Sequence, residues 1–221
     1  SNTTLNLTRF ITADGFKRIS KKSNPKFATD EAMSKTVRTF ADVQDFFNQG
    51  DVENIPLELS GLQLDSRLIQ AGDIFLAIQG LHHHGLSFLS SAVQNGAALV
   101  IADKPIHDSP IPALVVSDLK SRIGEFSSWF YGYPSRSMTM LGITGTNGKT
   151  TIAHLIQYLW NSLGLASGTI GTLGVAFNGK NERFEYPGIR TTPEAPELQA
   201  VFKKMLDSHV QKVVMEVSSH A

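Results

Sequence analysis

The sequence predicts an α/β fold in two units. Three observations carry that prediction. Short apolar runs at residues 74–78, 97–102, 111–116 and 138–143 have the length and composition of buried strands. Between them stand segments whose apolar residues recur at helical spacing. One strand-like run also passes through a glycine-rich turn, Gly142-Ile143-Thr144-Gly145-Thr146-Asn147-Gly148, straight into such a helix. Strands alternating with helices argue for a sheet with helices layered on its faces.

In chain order, residues 1–34 are polar, with a basic patch at Lys17, Arg18, Lys21 and Lys22, and read as a solvated extension. Ser1-Asn2 reads as the scar of a cleaved tag. Residues 39–47 put Phe40, Val43, Phe46 and Phe47 on one helical face. Leu62-Gln63-Leu64 alternates like a strand and leads into Asp65-Ser66-Arg67. Gly72-Asp73 turns the chain into the run at 74–78, and a helix over 86–95 stops at Gly96. Pro112 confines the strand at 111–116 to an edge, or to a strand start. Asp118 is the expected N-cap of a helix over 119–131. Tyr133-Pro134-Ser135 is the expected linker, which gives divisions at 1–34, 35–135 and 136–221.

Beyond the linker, Ile152, Leu155, Ile156, Leu159 and Leu163 form one face of a helix over 150–163. A second helix over 194–209 carries Leu198, Val201, Phe202, Met205 and Leu206, with Pro193 assigned to its first turn. A strand over 212–218 closes the series. A parallel sheet of this kind needs several strands with helices on both faces. Residues 136–221 predict few, so they are expected to be the first part of a longer domain.

Composition narrows the function. The 221 residues hold 20 Lys+Arg and 20 Asp+Glu, a formal net charge of zero, which argues against a dedicated nucleic-acid or anionic-membrane surface. There is no cysteine, which excludes a disulfide framework and thiolate chemistry. No apolar stretch reaches spanning length and no signal-peptide core is visible. The expectation is a cytoplasmic monomer without nucleic-acid or membrane partners.

The chemistry gathers at the glycine turn. A helix start presents free backbone N–H groups and the positive end of the macrodipole, and so favours phosphate. Lys149 would reach the β- and γ-phosphates, and the Thr150 hydroxyl would ligate Mg2+. ATP and Mg2+ are therefore the expected cosubstrate and cofactor. The spacing differs from the usual loop, because Ile143 stands where the first glycine is normally found. Glu216, in a buried-type strand, is either a solvent-facing or ion-paired carboxylate or a second Mg2+ ligand. His82-His83-His84 is a polar loop rather than a metal site, because three consecutive His cannot all face one ion and no carboxylate or Cys lies nearby in sequence. Ser218-Ser219-His220 lacks the elbow pattern of a nucleophile and its base.

The displaced glycine in Gly145-Thr146-Asn147-Gly148-Lys149-Thr150-Thr151 resembles the ATP loop of the Mur ligases and their folylpolyglutamate synthetase relatives. Met215-Glu216-Val217-Ser218-Ser219-His220-Ala221 and Arg190-Thr191-Thr192-Pro193-Glu194 are similar to motifs of the MurE branch. Asp65-Ser66-Arg67, followed by Gly72-Asp73-Ile74-Phe75-Leu76-Ala77 and Gly80, resembles its uridine-nucleotide motif. These blocks stand in family order over about residues 60–221. One common variant has Asn where Arg190 stands.

The resemblance implies an N-terminal uridine-nucleotide-binding α/β domain, then the first part of a phosphate-loop ATPase parallel sheet. Leu64 and Ser66 would contact the uracil and ribose side of the UDP-sugar, and Leu81, His82, His83 and His84 would lie along its diphosphate. Residues 145–151 would hold ATP, with Lys149 and Glu216 as catalytic groups and Thr150 and Glu216 at Mg2+. Thr191 and Thr192 would bind the muramoyl-peptide, with Ser218 close by. The implied activity is ATP-dependent addition of a diamino acid, L-lysine or meso-diaminopimelate, to UDP-MurNAc-L-Ala-D-Glu through an acyl phosphate, in peptidoglycan synthesis. The family's carbamylated lysine and its amino-acid-binding domain would lie downstream, so this stretch alone is expected to be inactive. Arg67 could equally be a structural partner of Asp65, and Thr191 and Thr192 could cap the next helix. Alternatives for the whole are a MurF-type ligase, a phosphate-loop NTPase or a nucleotide-sensing module.

Overall fold

The computed structural model describes residues 37–49, 55, 57–180, 182–187 and 192–218. The expected extension at 1–34 lies outside them. Two larger sheets and a two-stranded ribbon organise the described chain, and one helix packs on both larger sheets.

The first sheet is four-stranded and parallel, in the order β3 (Gly61–Gln63), β4 (Asp73–Ala77), β5 (Leu99–Ala102), β6 (Ala113–Val115). Side chains alternate across a strand, so each face needs its own cover. Ile74, Leu76, Leu99 and Ile101 face a cluster with Phe126 and Phe130 of α3 (Leu119–Phe130) and Phe40 and Phe47 of α1 (Phe40–Phe47). Phe75, Ala77, Val100 and Ala102 face a smaller cluster with Ala92 of α2 (Leu89–Gln94). β6 is an edge strand, and Pro112 stands just before its first residue, in keeping with the expected edge or start.

Local chemistry sets the helix ends. Thr39 caps α1 in a capping box: it accepts from the Asp42 amide, and Asp42 accepts from the Thr39 amide. Thr39 also ends β1 (Arg38–Thr39), which pairs antiparallel with β2 (Glu58–Leu59). Arg38 donates to the carbonyls of Trp129 (2.9 Å) and Phe130 (3.2 Å), closing the C-terminal turn of α3. Asp118 precedes α3 as expected, but its side chain makes no cap bond; its carbonyl instead accepts from Ser121. The helix expected over 86–95 is split into a 3-10 turn, Gly85–Phe88, and the short α2.

The second sheet runs β10 (Arg183–Pro187), β9 (Gly174–Asn178), β8 (Ser167–Gly171), β11 (Lys212–Glu216), β7 (Thr139–Ile143). β7, β11 and β8 are parallel, whereas β8, β9 and β10 form an antiparallel meander. The sheet is thus mixed, and its meander was not predicted. α4 (Lys149–Ser162) packs against β8 and β11, while Val201, Phe202 and Met205 of α5 (Ala195–Asp207) fill a core with Ile170, Phe177 and Val213.

α5 has a second face. Ala195 and Ala200 pack against the core of the first sheet, and α5 touches α3 and β3. Proline sits in its first turn, but it is Pro196 and not Pro193; Glu194 is the N-cap residue. The expected linker is a 3-10 turn, Pro134–Ser137, seated against α5. Tyr133 before it takes φ 55°, and Arg136 lies 3.9 Å from its ring centroid.

Candidate functional site

Parallel strands place their useful loops at their carboxyl ends, and the predicted residues group at two such ends. At the end of β3, Leu64 packs on the core and Ser66 is buried in a 3-10 turn, Ser66–Leu68. Asp65 caps that turn by accepting from the Arg67 amide at 3.0 Å, and also binds the Arg67 guanidinium at 2.6 Å. Arg67 is thus the partner of Asp65, with most of its side chain in solvent. Asn95, at the C-cap of α2, donates to the Ser66 carbonyl at 2.8 Å. Sequence reasoning missed Asn95, which lies 29 positions away and carries no motif.

After β4 the chain makes a narrow loop. Gln79 and His84 form a bridge, and the Gly80 amide donates to the His83 carbonyl at 3.0 Å. Leu81, His82 and His83 at the tip are exposed, Leu81 to 99%. An apolar side chain left in water by a short, bonded loop has nothing to cover it within that loop. His84 turns inward instead and meets Asp103, just past β5.

At the second end, β7 runs into residues 144–148 and then α4. Gly145 (φ 143°) and Gly148 (φ 82°) take left-handed backbone that other residues adopt at a cost. A Cβ on Gly148 would meet nothing within 4 Å, so backbone conformation and not crowding requires glycine there. Gly148 is the N-cap of α4 and no side chain caps the helix. Thr144, Gly145, Thr146, Asn147, Gly148 and Thr151 are exposed; Lys149 and Thr150 are half-buried. The Lys149 Nζ folds back to donate to the Gly145 carbonyl at 2.6 Å. The loop therefore offers open amides at a helix start, with an ammonium group reaching across it.

Glu216 ends β11 directly beside Ile143, the last residue of β7. Glu216 is 2% exposed, and its carboxylate accepts from the Thr172 amide and hydroxyl, each at 3.1 Å. A Cβ on Gly171 would run into that carboxylate, so the glycine makes its room. Two donors from one residue satisfy a buried charge that would otherwise be expensive. His154 lies within the field of Glu216; burial holds it below the usual imidazole range, against the pull of that charge. Thr192 donates to the Glu216 carbonyl at 3.3 Å and accepts from the Ser218 amide at 3.4 Å. Thr192, Ser218 and Glu216 are thus brought together, and Thr192 does not cap α5. Thr191, with Arg190, Ser219 and His220, lies outside the described residues.

Among the described residues no group of three or more His, Asp and Glu could hold a metal ion. A magnesium ion bound here would therefore lean on phosphate oxygens and one or two protein oxygens, its usual habit in triphosphate sites. Thr150 stands in the first turn of the helix after the loop and Glu216 ends the neighbouring strand, with both of its carboxylate oxygens held by Thr172. Among the described residues no helix is long and apolar enough to cross a membrane.

The Mur ligase family, catalytic domain, matches residues 58–123, and the Mur ligase middle domain matches residues 143–221. The chain is 37% identical over 164 residues to the UDP-N-acetylmuramoyl-L-alanyl-D-glutamate--2,6-diaminopimelate ligase of Bacillus velezensis, covering 74% of this chain and 32% of that protein. It is 41% identical over 168 residues to the ligase of the same name from Xanthomonas campestris pv. campestris, covering 75% and 33%. The chain spans about a third of the length of these curated relatives. A solved structure of a ligase of that name superposes on 83% of this chain and 36% of its own, with TM-score 0.63 and 25% identity. MurF from Acinetobacter baumannii, at 22% identity and TM-score 0.56 over 83% of this chain and 36% of its own, shares the fold. With both matches standing in chain order, this chain belongs to the Mur ligase family.

Proposed function

We propose that the chain is the nucleotide-binding portion of an ATP-dependent ligase of the MurE type. It would add a diamino acid to UDP-MurNAc-L-Ala-D-Glu in peptidoglycan synthesis. The observation that carries this reading is the glycine loop leading into an uncapped helix, with Glu216 on the adjacent strand. The names of the relatives favour diaminopimelate over lysine as the added amino acid.

The residues fit the chemistry in simple terms. A carboxylate is a poor electrophile, so it must first gain a leaving group. An oxygen of the D-glutamate carboxylate bonds to the γ-phosphorus of ATP as the bond to the ADP oxygen breaks. The amine of the diamino acid then bonds to the acyl carbon, sheds a proton, and releases phosphate. Little covalent work falls to the protein, so positioning and charge neutralisation dominate. Amides of residues 145–151 would cradle the phosphates, and Lys149 would leave the Gly145 carbonyl for the β- and γ-oxygens. Bound Mg2+ would neutralise phosphate charge, held by Thr150 and Glu216. Thr192 and Ser218 would meet the muramoyl-peptide beside Glu216. Leu64, Ser66 and residues 81–83 would hold the uridine nucleotide.

Melting of the chain with two muramoyl nucleotides tests this reading, because a ligand of the native state raises the melting temperature by mass action. UDP-MurNAc-L-Ala-D-Glu is expected to raise it, and the corresponding tripeptide nucleotide is not. A rise with the tripeptide form alone would favour a MurF-type ligase. A rise with ATP and neither muramoyl nucleotide would favour a phosphate-loop NTPase.

A further inference from the structure

We propose that His84, tied to Asp103, is a positioning residue. It fixes the exposed loop 81–83 at the carboxyl ends of β4 and β5, where it can meet the diphosphate of the uridine nucleotide. The inference rests on the nucleotide site proposed above and adds to it two residues of the tie.

Three bonds define the geometry. The His84 Nδ1 accepts from the Leu86 amide at 3.1 Å, which starts the turn Gly85–Phe88. With Nδ1 occupied as an acceptor, the ring proton must sit on Nε2. Nε2 then donates to the Asp103 Oδ1 at 2.6 Å, a short bond to a carboxylate. Both side chains are mostly withdrawn from solvent, at 13% and 16% exposure, so water competes poorly for either group.

The placement gives the tie its effect. His84 is the last residue of the loop, and Asp103 follows the last residue of β5. The Gly85 amide donates to the Ile78 carbonyl at 2.8 Å, and a Cβ on Gly85 would strike the Ala77 backbone. One leg of the loop is thus pressed onto β4, and His84 pins the same leg sideways to β5. The tip side chains are held less: Leu81, His82 and His83 all face solvent, and His83 meets only the edge of Phe88, with ring centroids 6.2 Å apart, while its carbonyl accepts from Gly80. An imidazole held in one tautomer by two different partners is a rigid strut. It leaves the exposed tip free to be read by a ligand while its base stays fixed.

Two substitutions separate the two bonds. In His84→Asn, the amide oxygen takes the place of Nδ1 and keeps the Leu86 bond, but nothing reaches Asp103. In His84→Gln, the longer amide reaches Asp103. Calorimetric titration with UDP-MurNAc-L-Ala-D-Glu is expected to show a loss of about tenfold for His84→Asn and for Asp103→Ala, and about threefold or less for His84→Gln. The double variant His84→Asn/Asp103→Ala is expected to lose no more than either single one, as one shared bond requires. Full affinity in His84→Asn, or losses that add, would overturn the proposal. Amide exchange in the free chain is the second arm. Gly80 and Gly85 are expected to exchange faster in His84→Asn and at the native rate in His84→Gln. If the native chain does not bind the nucleotide, the binding role fails together with the site proposed above. The exchange arm then decides the tie itself, and unchanged rates at both glycines would overturn it.

Discussion

In the first sheet β4 and β5 are buried along their whole length, whereas in the second β7 carries a similar apolar run and is mostly open. The difference lies in the neighbours. β4 and β5 have a strand on each side and a core on each face. Among the described residues β7 pairs only with β11. α4 beside it buries Ala153 and Gln157 but leaves Ile152, Leu155, Tyr158, Leu159 and Leu163 exposed. Sequence pattern chooses the element, strand or helix. Burial depends on what is packed against it.

The comparison can be broken by mutation. Phe126→Ala in the first core is expected to destabilise the chain by about 3–5 kcal/mol in urea unfolding, since it opens a cavity among packed rings. Equal resistance in Phe126→Ala and the native chain would show the first core to be loosely packed. Asp73 comes next. It is buried at the start of β4, accepts from the Gln70 amide at 2.8 Å, and burial raises its pKa to about 6. A carboxyl whose folded pKa is raised gives stability that is whole below its unfolded pKa and fades as pH rises through the folded one. The window here is roughly pH 4–6, and the loss is at most about 3 kcal/mol. Relative to the native chain, Asp73→Asn should therefore gain stability as pH rises across that window. A constant difference from pH 4 to pH 7 would contradict this account. The smallest effect is expected on α4, where Leu159→Ala should change stability by no more than about 0.5 kcal/mol. A loss near that of Phe126→Ala would mean that the α4 face is covered in solution.

The first sheet was largely legible because its strands are continuous apolar runs bounded by turn residues. The runs at 74–78 and 97–102 became β4 and β5 within two residues at either end. The meander β8–β10 was not legible, because Ser167-Gly168-Thr169-Ile170-Gly171 reads as a turn-rich loop. Its glycines serve close approach instead: a Cβ on Gly168 would press on Met205 and Phe177, and one on Gly171 on Glu216. The contacts with Met205 and Glu216 join distant parts of the chain, which no local pattern reports. The same holds at the candidate sites. The glycine loop between β7 and α4, and the strand that ends at Glu216, were readable from glycine spacing and apolar pattern. Asn95, Asp103 and Thr172 act through one or two bonds to residues far away in sequence.

In the function proposed above, the two sheet ends bind different nucleotides. Calorimetric titration with UDP-MurNAc-L-Ala-D-Glu tests it most directly, run on the native chain, on Ser66→Trp and on Lys149→Ala. The native chain and Lys149→Ala should bind alike, while Ser66→Trp, which crowds a buried position at the end of β3, should bind far more weakly. Loss of binding in Lys149→Ala with Ser66→Trp unaffected would put the uridine nucleotide at the wrong sheet and contradict the account.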